Sequence, residues 1–287
     1  MTAPPAVYGL VTDSSSQITD DLVDRFSVEV VPLVVTIDGT DHLERDELDA
    51  DAFYAHFTAG HVPEDGTSQP SPGSCVKAYE RLVARGCTEI WSIHIAEAMS
   101  GTVGAARLAA QHATVPVHVV DTGSASFGVS VCVWSAAVAL ARGANTDDVR
   151  RRLDGLVARL GTAFMVGVPH LTERGGRATQ VDLDGDGIPV LAMNAGNLEI
   201  LDRVSTIEDT IDVMSTYARS WIDREPEGIT VAIGIADAPS RPLGVRLDTA
   251  LRDLPGVDDV VQYRIGPSVG AHTGPGTFGL FVFPTIR

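Results

Sequence analysis

Between Val7 and Ala141, short apolar runs alternate with segments of helical period, and this alternation constrains the fold more than any other feature of the chain. Val7 to Thr12, Val28 to Ile37, Glu89 to Ile95 and Val117 to Val120 read as strands. Helical spacing marks Thr19 to Phe26, Asp49 to about Ala59, a segment from Pro72 that ends before Gly86, Ser100 to about Gln111, and Val129 to Ala141. Asp49 and Ser71 are suited to N-caps, and Pro72 to the first helical position. Units of this length close through right-handed crossovers and predict a mostly parallel sheet. Pro32 interrupts the second strand, which predicts a sheet edge or a bulge.

In open α/β sheets the ligand crevice lies at the carboxyl ends of the strands. Asp13-Ser14-Ser15-Ser16, Ser100-Gly101-Thr102 and Asp121-Thr122-Gly123-Ser124 follow strands in this way, and Thr67 and Ser68 sit in a long loop, His61 to Ser71, that can join them. Hydroxyls together with helix N-termini suit a carboxylate or a phosphate, although the same residues also serve simply as helix caps.

After Gly143 the pattern changes. Thr146 to Leu160 carries Arg150, Arg151 and Arg152 opposite a stripe of Leu153, Leu156, Val157 and Leu160, and predicts a helix connecting two domains with its arginines solvated. Beyond it, strands at Ala163 to Val168, Pro189 to Met193, Leu198 to Val204, Ile229 to Ala236, Val257 to Ile265 and Thr277 to Phe283 mix with helices at Ile207 to Asp223 and Pro242 to Asp253. A 287-residue chain with 44% apolar residues is near the size at which single cores split. The expectation is an α/β protein: a mostly parallel-sheet N-terminal domain over 1–161 and an α+β C-terminal domain over 162–287.

Ile265 to Gly276 holds four glycines and two prolines in twelve residues, which predicts a shaped loop with positive φ instead of a helix. Such a loop brings amides and the His272 imidazole to a ligand; the other reading of His272 is a turn histidine bonded to backbone. Gly266-Pro267-Ser268-Val269-Gly270 fits G-x-S-x-G, but no acid follows Ser268 and His272 is only four residues on. Gly274 to Gly279 fits G-x-G-x-x-G, but an apolar strand follows where a helix is required. Gly175-Gly176 allows a tight turn that places Arg177 to hold an anion in a planar fork. Asp182 to Gly187 starts like a calcium loop, but Met193 stands where the bidentate glutamate belongs, so a hairpin turn is expected and no metal.

Thirty-eight acids against twenty-one bases, a formal charge of −17, argue against nucleic-acid binding. Cys75, Cys87 and Cys132 form no C-x-x-C pair and read as thiols of a reducing compartment. Val129 to Ala141, the longest apolar run, is too short to span a bilayer, and Met1 to Ala6 lacks the features of a signal peptide. A cytoplasmic protein without stable membrane insertion is expected.

Taken in order, Val11-Thr12-Asp13-Ser14, Thr67-Ser68-Gln69-Pro70-Ser71-Pro72, Ser100-Gly101-Thr102, Val120-Asp121-Thr122, Gly175-Gly176-Arg177, and Ile265-Gly266-Pro267 through His272-Thr273-Gly274-Pro275-Gly276 resemble the DegV family of fatty-acid-binding proteins over nearly the whole chain. The resemblance implies a long-chain fatty acid between the two domains. Its carboxylate would meet Thr67 and Ser100 from the first and Arg177 and His272 from the second, with Ser68, Thr102 and Thr273 as secondary candidates. It implies no cofactor, no catalysis, and presentation of the acid to a separate fatty acid kinase in phospholipid metabolism. Burying about sixteen carbons gains on the order of 10 kcal/mol, and leaving the carboxylate unpaired would consume several, so donors are needed at one end of an apolar tunnel. The chain departs from many members at Ala96-Glu97, where they carry a serine pair, and at Ile188-Pro189-Val190 and Arg203-Val204-Ser205-Thr206, where they carry further basic residues. Such losses bear more on a phosphorylated head group, and so on kinase coupling, than on a plain carboxylate.

Two rival functions fit the same residues. One is a serine-dependent acyl esterase or thioesterase using Ser100, His272 and Asp13 or Asp121. The other is a binding module for a phosphorylated small molecule.

Overall fold

The computed structural model describes residues 7–57, 62–174, 183, 185–194 and 197–287. Gly175, Gly176 and Arg177, and Asp182 and Asp184 of the acidic turn, lie outside the described residues.

The first half runs β1 (Tyr8–Asp13), a 3-10 turn (Ser14–Ser16), α1 (Asp20–Phe26), β2 (Glu29–Val31), β3 (Val34–Ile37), β4 (Thr40–Leu43), α2 (Ala50–Ala55), β5 (Asp65–Ser68), α3 (Pro72–Ala84), β6 (Glu89–His94), α4 (Thr102–Ala110), β7 (Val117–Asp121) and α5 (Phe127–Ala141). Strands β2-β1-β6-β7 form an all-parallel sheet in that order. The caps behave as expected, with Asp49 Oδ1 accepting from Ala52 N at 2.8 Å and Ser71 Oγ from Ser74 N at 3.1 Å.

One expected strand is two. Pro32 separates β2, in the parallel sheet, from β3, the centre of a small antiparallel sheet ordered β4-β3-β5. Pro32 has no N–H for a ladder, and the chain changes sheets there. Thr67 and Ser68, expected in a loop, belong to β5, where Thr67 pairs with Val35.

The second half runs α6 (Thr146–Val157), β8 (Gly161–Met165), α7 (Pro169–Arg174), β9 (Ile188–Asn194), β10 (Asn197–Val204), α8 (Asp209–Ile222), β11 (Ile229–Ile235), α9 (Arg241–Leu251), β12 (Val257–Arg264), α10 (Pro267–Thr273) and β13 (Phe278–Pro284). These strands form a mixed sheet ordered β10-β9-β8-β13-β11-β12, parallel only between β11 and β12. The fold is thus α/β, with a parallel sheet in the N-terminal part and a mixed sheet with helices in the C-terminal part.

Helix α5 joins the two parts. It is apolar on nearly every side and packs against β1, β6 and β13. Phe127 at its start stacks on Tyr263 at 4.6 Å, so one core cluster runs from Trp91 and Ile93 to Phe281 and Phe283. Helices α8 and α9 cover the mixed sheet around Met214, Leu247 and Val231. Helix α6 packs on α5 through Val149, Leu153 and Leu156. Its arginines are exposed but not merely solvated: Arg152 Nε donates to Ser135 Oγ at 2.7 Å, and Arg150 Nη2 lies 3.0 Å from His118 Nδ1.

Among the described residues no helix is long and apolar enough to cross a membrane. The three cysteines are buried and unpaired, and burial pushes the Cys132 thiol up to about 12.

Candidate functional site

The segment expected to be a glycine-rich loop contains a helix, and that helix brings His272 to the site. Gly266 is the N-cap of α10, Pro267 is pre-set for its first turn, and Gly274 ends it at φ 77°. Gly270 lies mid-helix despite its poor propensity because a Cβ there would fall 2.6 Å from Tyr54 Oη and 2.7 Å from Phe53 Cε1. Close seating on these two rings outweighs the intrinsic cost. Positive φ, expected along this stretch, occurs at Gly274 and Gly276.

Helix α10 is held to the first half of the chain by a buried polar clasp. Glu44, 1% exposed, accepts from Ser268 N at 3.0 Å through Oε1 and from Ser14 Oγ at 2.5 Å through Oε2. Gln17 Oε1 accepts from Gly266 N, and Tyr54 Oη donates to the Ile265 carbonyl at 3.1 Å. Burial pushes the Glu44 carboxyl above its ordinary value against the opposing pull of the Ser14 and Ser268 hydrogen bonds. On its other side α10 packs against α7, where Thr172 Oγ1 donates to the His272 carbonyl at 2.6 Å.

Below this helix lies a cavity of about 320 Å3, within the usual range of small-molecule sites at ~300–1,000 Å3. Thr67, Ser68, Ser100, His272 and Thr273 line it, together with Gln69, Ser15 and Ser126. Thr67 Oγ1 and His272 Nε2 are 2.8 Å apart, a contact between β5 and α10. Ser100 Oγ lies 2.8 Å from Thr102 Oγ1; Thr102 is buried and does not line the cavity. Gly101 leaves the space that Gln69 occupies, since a Cβ there would meet Gln69 Oε1 at 1.7 Å. Thr162, Thr172, Ser268 and Thr277 also line it, and the rest of the wall is mostly apolar, with Leu33, Ile95, Met99, Phe164, Leu198 and Phe281.

Of the strand ends expected to form the rim, those at Ser15 and Ser100 reach this cavity, whereas Gly123 and Ser124 line a smaller void of about 30 Å3. Asp13 is engaged elsewhere. Its Oδ2 lies 2.9 Å from His94 Nδ1 and accepts from Ile95 N at 3.2 Å, while Oδ1 accepts from Ser15 Oγ. His94 Nε2 continues to Ser92 Oγ at 2.6 Å and Ser92 to Tyr79 Oη at 2.9 Å, a fully buried chain. It resembles a Ser-His-Asp relay in residue type, but no solvent reaches its serine.

Residues the sequence reading missed are Thr172, Ser126, Gln17 and Glu44. Gln17 and Ser126 carry a local oddity, φ 56° and φ 51° at non-glycine residues. Among the described residues no group of three His, Cys, Asp or Glu side chains is placed to hold a metal ion.

The family model for uncharacterised proteins of the DegV family matches residues 8–285. A DegV domain-containing protein of Streptomyces coelicolor is 31% identical over 279 residues, covering 95% of this chain and 97% of that one. A DegV family protein from Thermus thermophilus, described for its fatty acid binding, superposes with a TM-score of 0.87 at 29% identity, covering 97% of this chain and 99% of that one. A protein from Thermotoga maritima, described as revealing a fatty acid binding function, gives 0.84 at 25% identity, covering 98% and 100%. On the extent of the family match and of the Streptomyces likeness, the chain belongs to the DegV family.

Proposed function

We propose that the protein binds a long-chain fatty acid in the cavity beneath α10, as a carrier without catalysis of its own. The observation that carries this reading is one cavity with hydroxyls and an imidazole among its lining groups and a wall otherwise built from apolar side chains. The Thermus and Thermotoga proteins, alike over nearly their whole length, are described as fatty acid binders and support it. In this reading residues 1–161 and 162–287 are two lobes with the ligand between them. Thr67 and Ser100 come from one, and His272 from the other.

The hydrogen bonds suggest how a carboxylate is received. With the proton on His272 Nε2, that nitrogen donates to Thr67 Oγ1 and leaves the threonine O–H for the ligand. Thr102 Oγ1 donating to Ser100 Oγ likewise frees the serine O–H. Each carboxylate oxygen then meets a hydroxyl whose own acceptor side is already satisfied. Arg177 completes the set by family resemblance. An esterase would need Ser100 paired with a base, whereas the bonds above link Ser100 to Thr102 and His272 to Thr67, and Asp13 is held by His94. Presentation of the bound acid to a fatty acid kinase belongs to the same reading. Near Ser100, where many relatives carry a serine pair, Ala96 is buried and Glu97 pairs with Arg107 at 2.7 Å.

Native mass spectrometry of gently purified protein tests the proposal. A co-bound mass matching an acyl chain is expected, released by denaturation and identified in the lipid extract. Protein that carries no lipid and acquires none from a fatty-acid-supplemented host contradicts it.

A further inference from the structure

The acyl-binding cavity and the small void near Gly123 are lined in common by Thr162, Met193 and Phe281. These three side chains are a partition between two spaces. The space beyond them, about 30 Å3, is lined further by Gly123 and Ser124 from the β7–α5 connection and by Val157, Leu160 and Gly161 from the end of α6 and the start of β8.

The direction of the cavity follows from the strands. Thr277, Gly279 and Phe281 alternate along the run into β13 and all line it, as do Phe164 and Thr162 on the antiparallel neighbour β8, paired with Gly279 and Phe281. His272 and Thr273 lie just before this run, so the polar groups sit at its start and Phe281 four residues further along, roughly 13 Å at ~3.3 Å per residue. The partition therefore stands at the end of the cavity away from the imidazole.

Its members differ in freedom. Phe281 is 6% exposed and wedged against α5, where a Cβ on Gly128 would meet its Cε1 at 3.0 Å. Thr162 is buried, with its hydroxyl donating to the Leu280 carbonyl at 2.9 Å, so it offers the ligand no donor. Met193 is only half-buried, lies across from Leu198 in the β9–β10 pairing, and has an unbranched side chain with three rotatable bonds. It is the member able to move aside without displacing backbone.

We infer that the void is the distal end of the acyl channel and that Met193 is the adjustable stop that sets the longest chain accepted. This rests on the fatty-acid reading above and names the ligand property that one side chain selects. A void of about 30 Å3 has room for roughly two water-sized groups at ~10–15 Å3 each, hence for about two methylenes. Each methylene buried raises affinity about fourfold, the equivalent of ~0.8 kcal/mol.

The test is a displacement titration with saturated fatty acids lengthened two carbons at a time. In the wild type, affinity rises with length and then breaks. Met193→Ala moves the break one step longer and raises affinity for the first acid beyond it by roughly tenfold. Met193→Val, a smaller truncation, moves it in the same direction. Val157→Phe fills the void from the far side without touching the main cavity, and in the Met193→Ala background restores the wild-type break. An unchanged break in both Met193 variants, or a longer break that Val157→Phe does not reverse, overturns the inference while leaving fatty acid binding intact. A wild type that binds no acid of any length overturns the underlying reading with it.

Discussion

Replacing His272 with alanine is expected to weaken binding of a long-chain fatty acid about ten- to a hundredfold while changing binding of the matching fatty alcohol by only a few-fold. A hydrogen bond to a charged partner contributes ~1.5–3 kcal/mol, whereas one between neutral groups contributes ~0.5–1.5. In the proposed reading His272 acts on the ligand through Thr67, whose hydroxyl lies 2.8 Å from its Nε2. Without the imidazole the threonine hydroxyl loses its fixed partner and its proton is no longer committed to the ligand. The apolar wall at Phe164, Leu198 and Phe281, which the proposal gives to the acyl chain, is untouched. Arg177→Ala should show the same selective loss, since a guanidinium serves the charge and not the chain. Isothermal titration with acid and alcohol in parallel decides it, and equal losses for both ligands contradict the assignment.

Glu44→Ala is expected to lower stability by about 2–5 kcal/mol in denaturant unfolding, because it strips acceptors from two buried donors, the Ser268 amide and the Ser14 hydroxyl. The Ser268 bond ties α10 to the first half of the chain, so the loss reaches the element that carries His272. The same residue gives a pH signature. Burial holds the folded-state carboxyl above its ordinary 4.5, so the folded form keeps its proton where the unfolded form has released it. The contribution of this group is complete below 4.5 and is lost as the pH rises through the folded value. Relative to Glu44→Gln, which cannot ionise, the wild type should lose stability as the pH rises above 4.5. A stability difference between the two that is flat with pH, or an unchanged unfolding midpoint in Glu44→Ala, contradicts the clasp.

The parallel sheet was legible because β1, β6 and β7 are compact runs rich in β-branched and aliphatic residues, and α3 announces itself through Ser71 and Pro72. The small antiparallel sheet was not. Its outer strands, Thr-Asp-His-Leu and Asp-Gly-Thr-Ser, have almost no apolar content, and backbone pairing with β3 alone makes them strands. Helix α10 was hidden because its glycine serves packing on Tyr54 and Phe53, a reason found 216 residues away and invisible to local propensity. Thr67, Ser100 and His272 stood out as hydroxyls and an imidazole beside turn residues, and the structure places all three at one cavity. Thr172 and Glu44 are sequence-distant from what they hold, 100 residues from His272 and 224 from Ser268, and nothing in their neighbourhoods marks them. Met193 reads in sequence as the end of a strand and the residue that spoils a calcium loop; its place beside the cavity follows from the pairing of β9 with β10.

In the proposed function one cavity receives an apolar chain and its carboxylate together. Titrating delipidated protein with a long-chain fatty acid, with the alcohol of equal length, and with inorganic phosphate as competitor tests it most directly. Saturable binding of the acid at one site per chain, weaker binding of the alcohol, and no displacement by phosphate are expected. Failure of the delipidated protein to take up the acid, or displacement of the acid by phosphate alone, would contradict it.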